Sequence, residues 1–225
     1  MQNASSRFSA SDRQRINQSV QAAESLTSAE IVPVVATASG RYDRAEDLAG
    51  LWLGVLLVIA VSIYWPAEAA EFGSWGTSPV VVQTLKLVGA ILGGFLVGAV
   101  LCSKIAWLRR LFTPAVQMRV EVGQTARSVF FDNRMHHTQG GGGLLIYISL
   151  FEHMAVILAD RQILEALGQA RLDELCHTLT QQLHQDRPTE ALCLTIQAAG
   201  EMLQQTLPRS VSDVNELPDS LVMID

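Results

Sequence analysis

Leu48–Trp65, LAGLWLGVLLVIAVSIYW, runs for 18 residues without a charge or a proline. At 1.5 Å of rise per residue a bilayer core needs roughly 20 apolar residues, so this stretch predicts a membrane-crossing helix. A second apolar leg follows at Val80–Leu108. Its cleanest part, Leu87–Cys102, lies between Lys86 and Lys104, whose long side chains can reach opposite headgroup layers. Trp52, Tyr64, Trp65 and Trp107 stand near the ends of the two runs, where amphipathic rings prefer to sit. Residues 48–108 are therefore expected to form a transmembrane hairpin, with helices over about 48–65 and 80–108. The competing possibility is a buried hairpin of a soluble domain.

Outside this middle the chain is ordinary and polar. Removing the hairpin leaves about 165 residues, enough for one compact domain. The formal net charge of −6 and the lack of a basic stripe with interleaved aromatics argue against a nucleic-acid partner. Cys102, Cys176 and Cys193 fall in or beside apolar segments and read as reduced, packed thiols. The polar start MQNASSRFSASDRQR does not read as a secretory signal.

The flanks break into recognisable elements. Ser9 followed by Asp12 is an N-terminal capping pattern, and Ile16, Val20, Ala23 and Leu26 then repeat at helical spacing. Ile31–Ala36 (IVPVVA) reads as a buried strand, with Pro33 placing it at a sheet edge or beside a bulge. Thr113-Pro114 predicts a helix start, with Val116, Val120 and Phe130 or Phe131 on its apolar face. Leu144–Leu150 and Met154–Ala159, joined by Phe151-Glu152-His153, predict a β-hairpin. Leucine stripes at 172–183 and 192–207 predict two more helices. Residues 208–225 show no periodicity and are expected to be a flexible acidic tail.

Neither flank buries enough apolar surface alone. Residues 1–47 and 109–207 are expected to combine into one α/β domain, with the hairpin inserted in the crossover between its first two strands.

Three blocks suggest a family. Thr27-Ser28-Ala29-Glu30-Ile31-Val32, Gly143-Leu144-Leu145-Ile146-Tyr147-Ile148-Ser149 and Val156-Ile157-Leu158-Ala159-Asp160-Arg161 occur in the order of the TPM domain, and the chain resembles that family over roughly residues 8–40 and 115–205. Gln162 stands where the family often has glycine. The hairpin interrupts the domain, whereas the family's membrane segment usually follows it. The resemblance implies a Rossmann-like αβα sandwich of TPM type. Among its members are a thylakoid-lumen protein of photosystem repair with acid phosphatase activity, an accessory protein of an acetylcholine receptor, and many bacterial membrane proteins.

Chemistry is sparse. The glycines at 140–143 precede a strand, and no Gly-Lys-Ser/Thr follows, so they read as a turn and not as a phosphate cradle. His136, His137 and His153 lack zinc-ligand spacing, and Asp132-Asn133 reads as solvated. Glu30 and Asp160 are the better metal candidates. If the first and third strands run antiparallel, both carboxylates reach one sheet edge, where they could hold Ca²⁺ or Mg²⁺ with Arg161 available for a phosphate. The alternative is that Glu30 pairs with a nearby base and Asp160 caps the following helix.

Arg41, Arg44, Lys104, Arg109 and Arg110 flank the outer ends of the hairpin, while its connecting side, with Pro66–Ser78 expected outside, offers Glu68, Glu71 and at most Lys86. Basic residues stay cytoplasmic, so both termini and the α/β domain are expected inside a bacterial inner membrane. Gly89 and Gly93, and also Gly94 and Gly98, are spaced to let another helix approach, either within the hairpin or from a second protomer. The expected function is that of a membrane-anchored accessory protein, with the lipid bilayer and a membrane protein or second copy as partners. A metal-dependent phosphatase-like hydrolase is the alternative.

Overall fold

The computed structural model describes residues 3–66, 79–133, 135, 142–209 and 220–225. In chain order the elements are α1 (Ala4–Arg7), α2 (Ala10–Glu24), β1 (Glu30–Ala36), α3 (Asp43–Tyr64), α4 (Pro79–Lys104), α5 (Ala106–Leu111), α6 (Ala115–Asp132), β2 (Gly143–Ser149), β3 (Met154–Ala159), α7 (Arg161–Leu167), α8 (Gln169–Leu183), α9 (Pro188–Thr206) and β4 (Val222–Ile224). They fall into two compact units. Arg41–Ala115 is one; the residues up to Gly40 together with Val116–Asp225 are the other.

The α/β unit is built on a mixed four-strand sheet of order β3-β2-β1-β4. β1 runs parallel to both β2 and β4, and β3 returns antiparallel beside β2. Every residue of β1 and β2 is buried, so their near-continuous apolar runs have helices to cover both faces. Ile31 and Val35 face one core with Ile16 and Val20 of α2, Leu175 and Leu179 of α8, and Leu192 and Ile196 of α9. Val32, Val34 and Ala36 face the other, where α6 supplies Val122, Ala126, Val129 and Phe130.

Local chemistry explains the ends of several elements. Ser9 Oγ accepts from the Asp12 amide at 3.2 Å while the Asp12 carboxylate accepts from the Ser9 amide at 3.0 Å, closing a capping box on α2. Those hydrogen bonds from Ser9 hold the Asp12 carboxyl below its usual range. Pro33 is also accounted for. The Glu30 amide points to Gly142 O on the β2 side, whereas the Ile31 amide points outward to Glu24 Oε1 at 2.9 Å. Thr37 then donates outward to Ile224 O at 2.8 Å. By alternation residue 33 would present its amide to the outer edge below the point where β4 begins to pair, so a residue with no N–H leaves nothing unsatisfied there.

Several details differ from expectation. β1 is flanked on both sides over its second half, because the last residues of the chain form β4 instead of a free tail. Periodicity does not reveal a three-residue strand. On α6 the apolar face is displaced: Val116, Val120 and Phe131 are exposed, and Met118, Val122 and Ala126 are buried beside Phe130. The Thr113 hydroxyl donates back to Arg109 O at 2.8 Å, closing the preceding turn. The second apolar helix stops at Lys104, where extended backbone at Ile105 separates it from α5.

In the other unit α3 and α4 pack as an antiparallel pair. A Cβ built on Gly98 would lie 2.8 Å from Gly50 Cα, and one on Gly50 would lie 2.8 Å from Phe95 O. Gly89 and Gly93, expected to share this role, have nothing within 4 Å and look away from the contact. Cys102 Sγ donates to Ala45 O at 3.4 Å. Arg109 pairs with Glu46 at 3.9 Å and lies 6.0 Å from the Tyr42 ring centroid. Both helices are long and apolar enough to cross a membrane, and only 17% of the apolar window of each is buried. A core helix of a soluble protein would be mostly covered.

Candidate functional site

The two ends of the sheet present different chemistry. At the end where β1 and β2 begin and β3 finishes, the register aligns Glu30 with Gly143 and Leu144 with Ala159. The Glu30 amide donates to Gly142 O at 2.9 Å, and the Asp160 amide donates to Gly143 O at 3.0 Å. Glu30 and Asp160 therefore stand at one edge of the sheet, on either side of the Gly142-Gly143 backbone. Glu30 is 6% exposed and shares its strand face with Val32 and Val34.

Asp160 already has local work. Its Oδ1 accepts from the Ile163 amide at 2.9 Å and caps α7. Gly142 has a φ of +90°, and a Cβ there would lie 2.5 Å from Asp160 Oδ1, so both backbone and space require glycine beside the cap. Arg161 turns outward. Its guanidinium pairs with Glu165 one turn along α7 at 2.7 Å, and that partner raises its pKa further. The three candidates are thus neighbours in the fold, with Arg161 directed into solvent. Among the described residues no three His, Cys, Asp or Glu side chains converge as a metal site. His136, His137, Gly140 and Gly141 lie outside the described residues. His153 sits in the β2–β3 turn with a φ of 53°.

The opposite end carries a polar cluster that sequence reasoning missed. Glu152, in the tight turn after β2, is fully buried. Its Oε1 accepts from the Ser39 amide at 2.8 Å, and its Oε2 accepts a short hydrogen bond from the Ser149 hydroxyl. Ser39 Oγ lies 2.8 Å from Ser149 Oγ and 2.9 Å from the Tyr147 hydroxyl. Thr125 of α6 donates to Ser39 O at 2.8 Å. Burial pushes the Tyr147 phenol up, and the Glu152 charge adds to that, while the Ser39 hydrogen bond opposes it. The cluster lies at the carboxyl ends of two parallel strands, the usual location for ligands in open α/β sheets. Here the side chains spend their hydrogen bonds on one another, which joins the end of β1 to the β2–β3 turn. Sequence held no signal for it, because Ser39, Ser149 and Glu152 meet only through strand register and a turn.

Neither a family model nor a curated protein matches the chain. Among solved structures it is similar to the NMR structure of the BA42 protein from the psychrophilic bacterium Bizionia argentinensis. The match has a TM-score of 0.55 and 17% identity over 96% of this chain and 94% of that one. At this identity the likeness concerns the fold alone. It is consistent with a mixed α/β architecture.

Proposed function

We propose that the chain is a membrane-anchored accessory protein. In this reading α3 and α4 cross a bacterial inner membrane as a hairpin. The α/β unit, a Rossmann-like αβα sandwich of TPM type, works on the cytoplasmic side by binding a membrane protein partner or a second copy. One observation carries the anchoring: two long apolar helices leave most of their surface uncovered, and lipid is the partner that such surface fits. The orientation follows from the five basic residues at the outer ends of the hairpin. A binding role is favoured because the best-placed polar groups are engaged structurally, Asp160 in a helix cap and Glu152 in a buried network.

Fractionation tests this directly. The expressed protein should sediment with membranes and resist alkaline extraction, and a C-terminal alkaline phosphatase fusion should be inactive. A soluble product, or an active fusion, would overturn the assignment. Crosslinking in membranes should recover a membrane protein or a dimer in fixed stoichiometry.

The second reading is a metal-dependent phosphatase-like hydrolase. Its support is the placement of Glu30 and Asp160 at one sheet edge, with Arg161 next in sequence. Bound Ca²⁺ or Mg²⁺ at a hundredfold excess over Kd would stabilise the folded protein by about 2.7 kcal/mol. Melting should then shift upward in millimolar metal, and Asp160→Asn should remove both the shift and any hydrolysis of an aryl phosphate. A shift without turnover would mark a binding site only.

A further inference from the structure

The short strand β4 is held in a manner that describes a ligand. Among the described residues of the C-terminal segment, Val222, Met223 and Ile224 pair with β1, opposite Val34, Val35 and Ala36. Typical strands run five or six residues, so this pairing is brief, and all three residues are half-exposed. Side chains alternate between the two cores: Leu221 and Met223 pack on the α2–α9 side, Val222 and Ile224 on the α6 side. The Leu221 amide donates to Asn17 Oδ1 at 3.0 Å.

A carboxylate clamp closes the far end. Asp225 Oδ1 accepts from the Ser5 amide at 3.1 Å and from Thr37 Oγ1 at 3.0 Å, and Oδ2 accepts from Ser5 Oγ at 2.5 Å. Thr37 Oγ1 is itself fixed by the Ala4 amide at 2.7 Å. The Ser5 contacts lower the Asp225 pKa, which marks them as fitted to a charged carboxylate. The other end of the β1 edge is shut. Glu24 occupies the Ile31 amide, and Pro33 has none, so pairing cannot extend past Val34.

We propose that the outer edge of β1 from Val34 to Thr37, closed by Ser5 and Thr37, is a docking site for an extended partner peptide of the form apolar–apolar–apolar–Asp, which the chain's own Val222–Asp225 fills in the resting protein. Recognition is by strand addition. Main-chain hydrogen bonds supply affinity, the alternating side chains choose the sequence, and the clamp fixes the register. The partner displaces β4 and needs no new surface. This assignment stands on the α/β unit alone and does not depend on membrane insertion.

The test uses the full chain in detergent with a fluorophore-labelled, C-terminally amidated peptide, Ser-Leu-Val-Met-Ile-Asp. On wild-type protein binding should be weak, because the tethered strand competes at an effective concentration in the millimolar range. Asp225→Asn, which loosens the resident strand, should bind the peptide at least about tenfold tighter. Val222→Lys, which unseats the same strand through its packing, should give a similar gain. The peptide with Asn in its last position should lose most of that affinity, and the Thr37 amide should become protected from exchange as the Asp peptide saturates. No saturable binding to either variant would overturn the proposal, as would equal affinity for the Asp and Asn peptides. Concentration-dependent dimerisation of the variants that the peptide cannot reverse would assign the edge to a second copy and also overturn it.

Discussion

Gly94 of α4 faces Gly54 of α3 so closely that a Cβ on Gly94 would lie 2.6 Å from the Gly54 Cα. Gly93, its immediate neighbour, looks into open space. Gly94→Leu should therefore destabilise the hairpin by about 1–3 kcal/mol through overpacking, whereas Gly93→Leu should leave it unchanged. Melting of both variants in detergent decides the matter. Equal effects would contradict the facing of these helices.

Glu152→Ala should be among the most damaging single changes in the α/β unit. It leaves the Ser39 amide and the Ser149 hydroxyl buried without their acceptor, at about 1–3 kcal/mol for each stranded group. Ser39→Ala keeps the amide contact to Glu152 and should cost less. Chemical denaturation of the two variants should preserve that order.

Asp160 can be tested apart from any metal. Asp160→Ala should cost about 1 kcal/mol by uncapping α7, while Asp160→Asn, still able to accept from the Ile163 amide, should cost only a small part of that. Amide exchange along α7 is the direct measurement.

Acid should loosen both caps of the α/β unit. Asp12 and Asp225 each titrate below their ordinary range, so their folded values lie below the unfolded ones. Their contribution is complete above the unfolded value of about 3.9 and disappears as pH falls through the folded values. Exchange at the Thr37 amide, corrected for its intrinsic rate, should accelerate below about pH 4 in wild type, and Asp225→Asn should flatten that dependence.

Local patterns were readable and long-range ones were not. The Ser9–Asp12 box, the two strands around Phe151-Glu152-His153 and the Asp160 cap each lie within a few residues, and their chemistry shows in the sequence. Glu30 and Asp160 could be placed at one edge because strand direction alone decides it. Which of the adjacent Gly93 and Gly94 meets α3 depends on helix rotation, which spacing leaves open. Spacing leaves the buried face of α6 open for the same reason, since Val116 and Val120 repeat as regularly as Met118 and Val122. β4 is held by Ser5, Asn17 and Thr37, far away in the chain, and three residues are too few for a period.

The insertion between β1 and β2 also has a cost in time. β1 ends at Ala36, and the strand that pairs with all of it begins only at Gly143. At roughly 5–20 residues per second a ribosome needs several seconds to make the intervening chain. Through that interval a wholly apolar strand core has no partner strand from its own chain. Pro33 is already synthesised by then, and it has no N–H to offer a neighbouring nascent chain at that edge. Yield on expression should thus depend on how fast residues 37–142 are translated, a kinetic weakness separate from the stability of the completed domain.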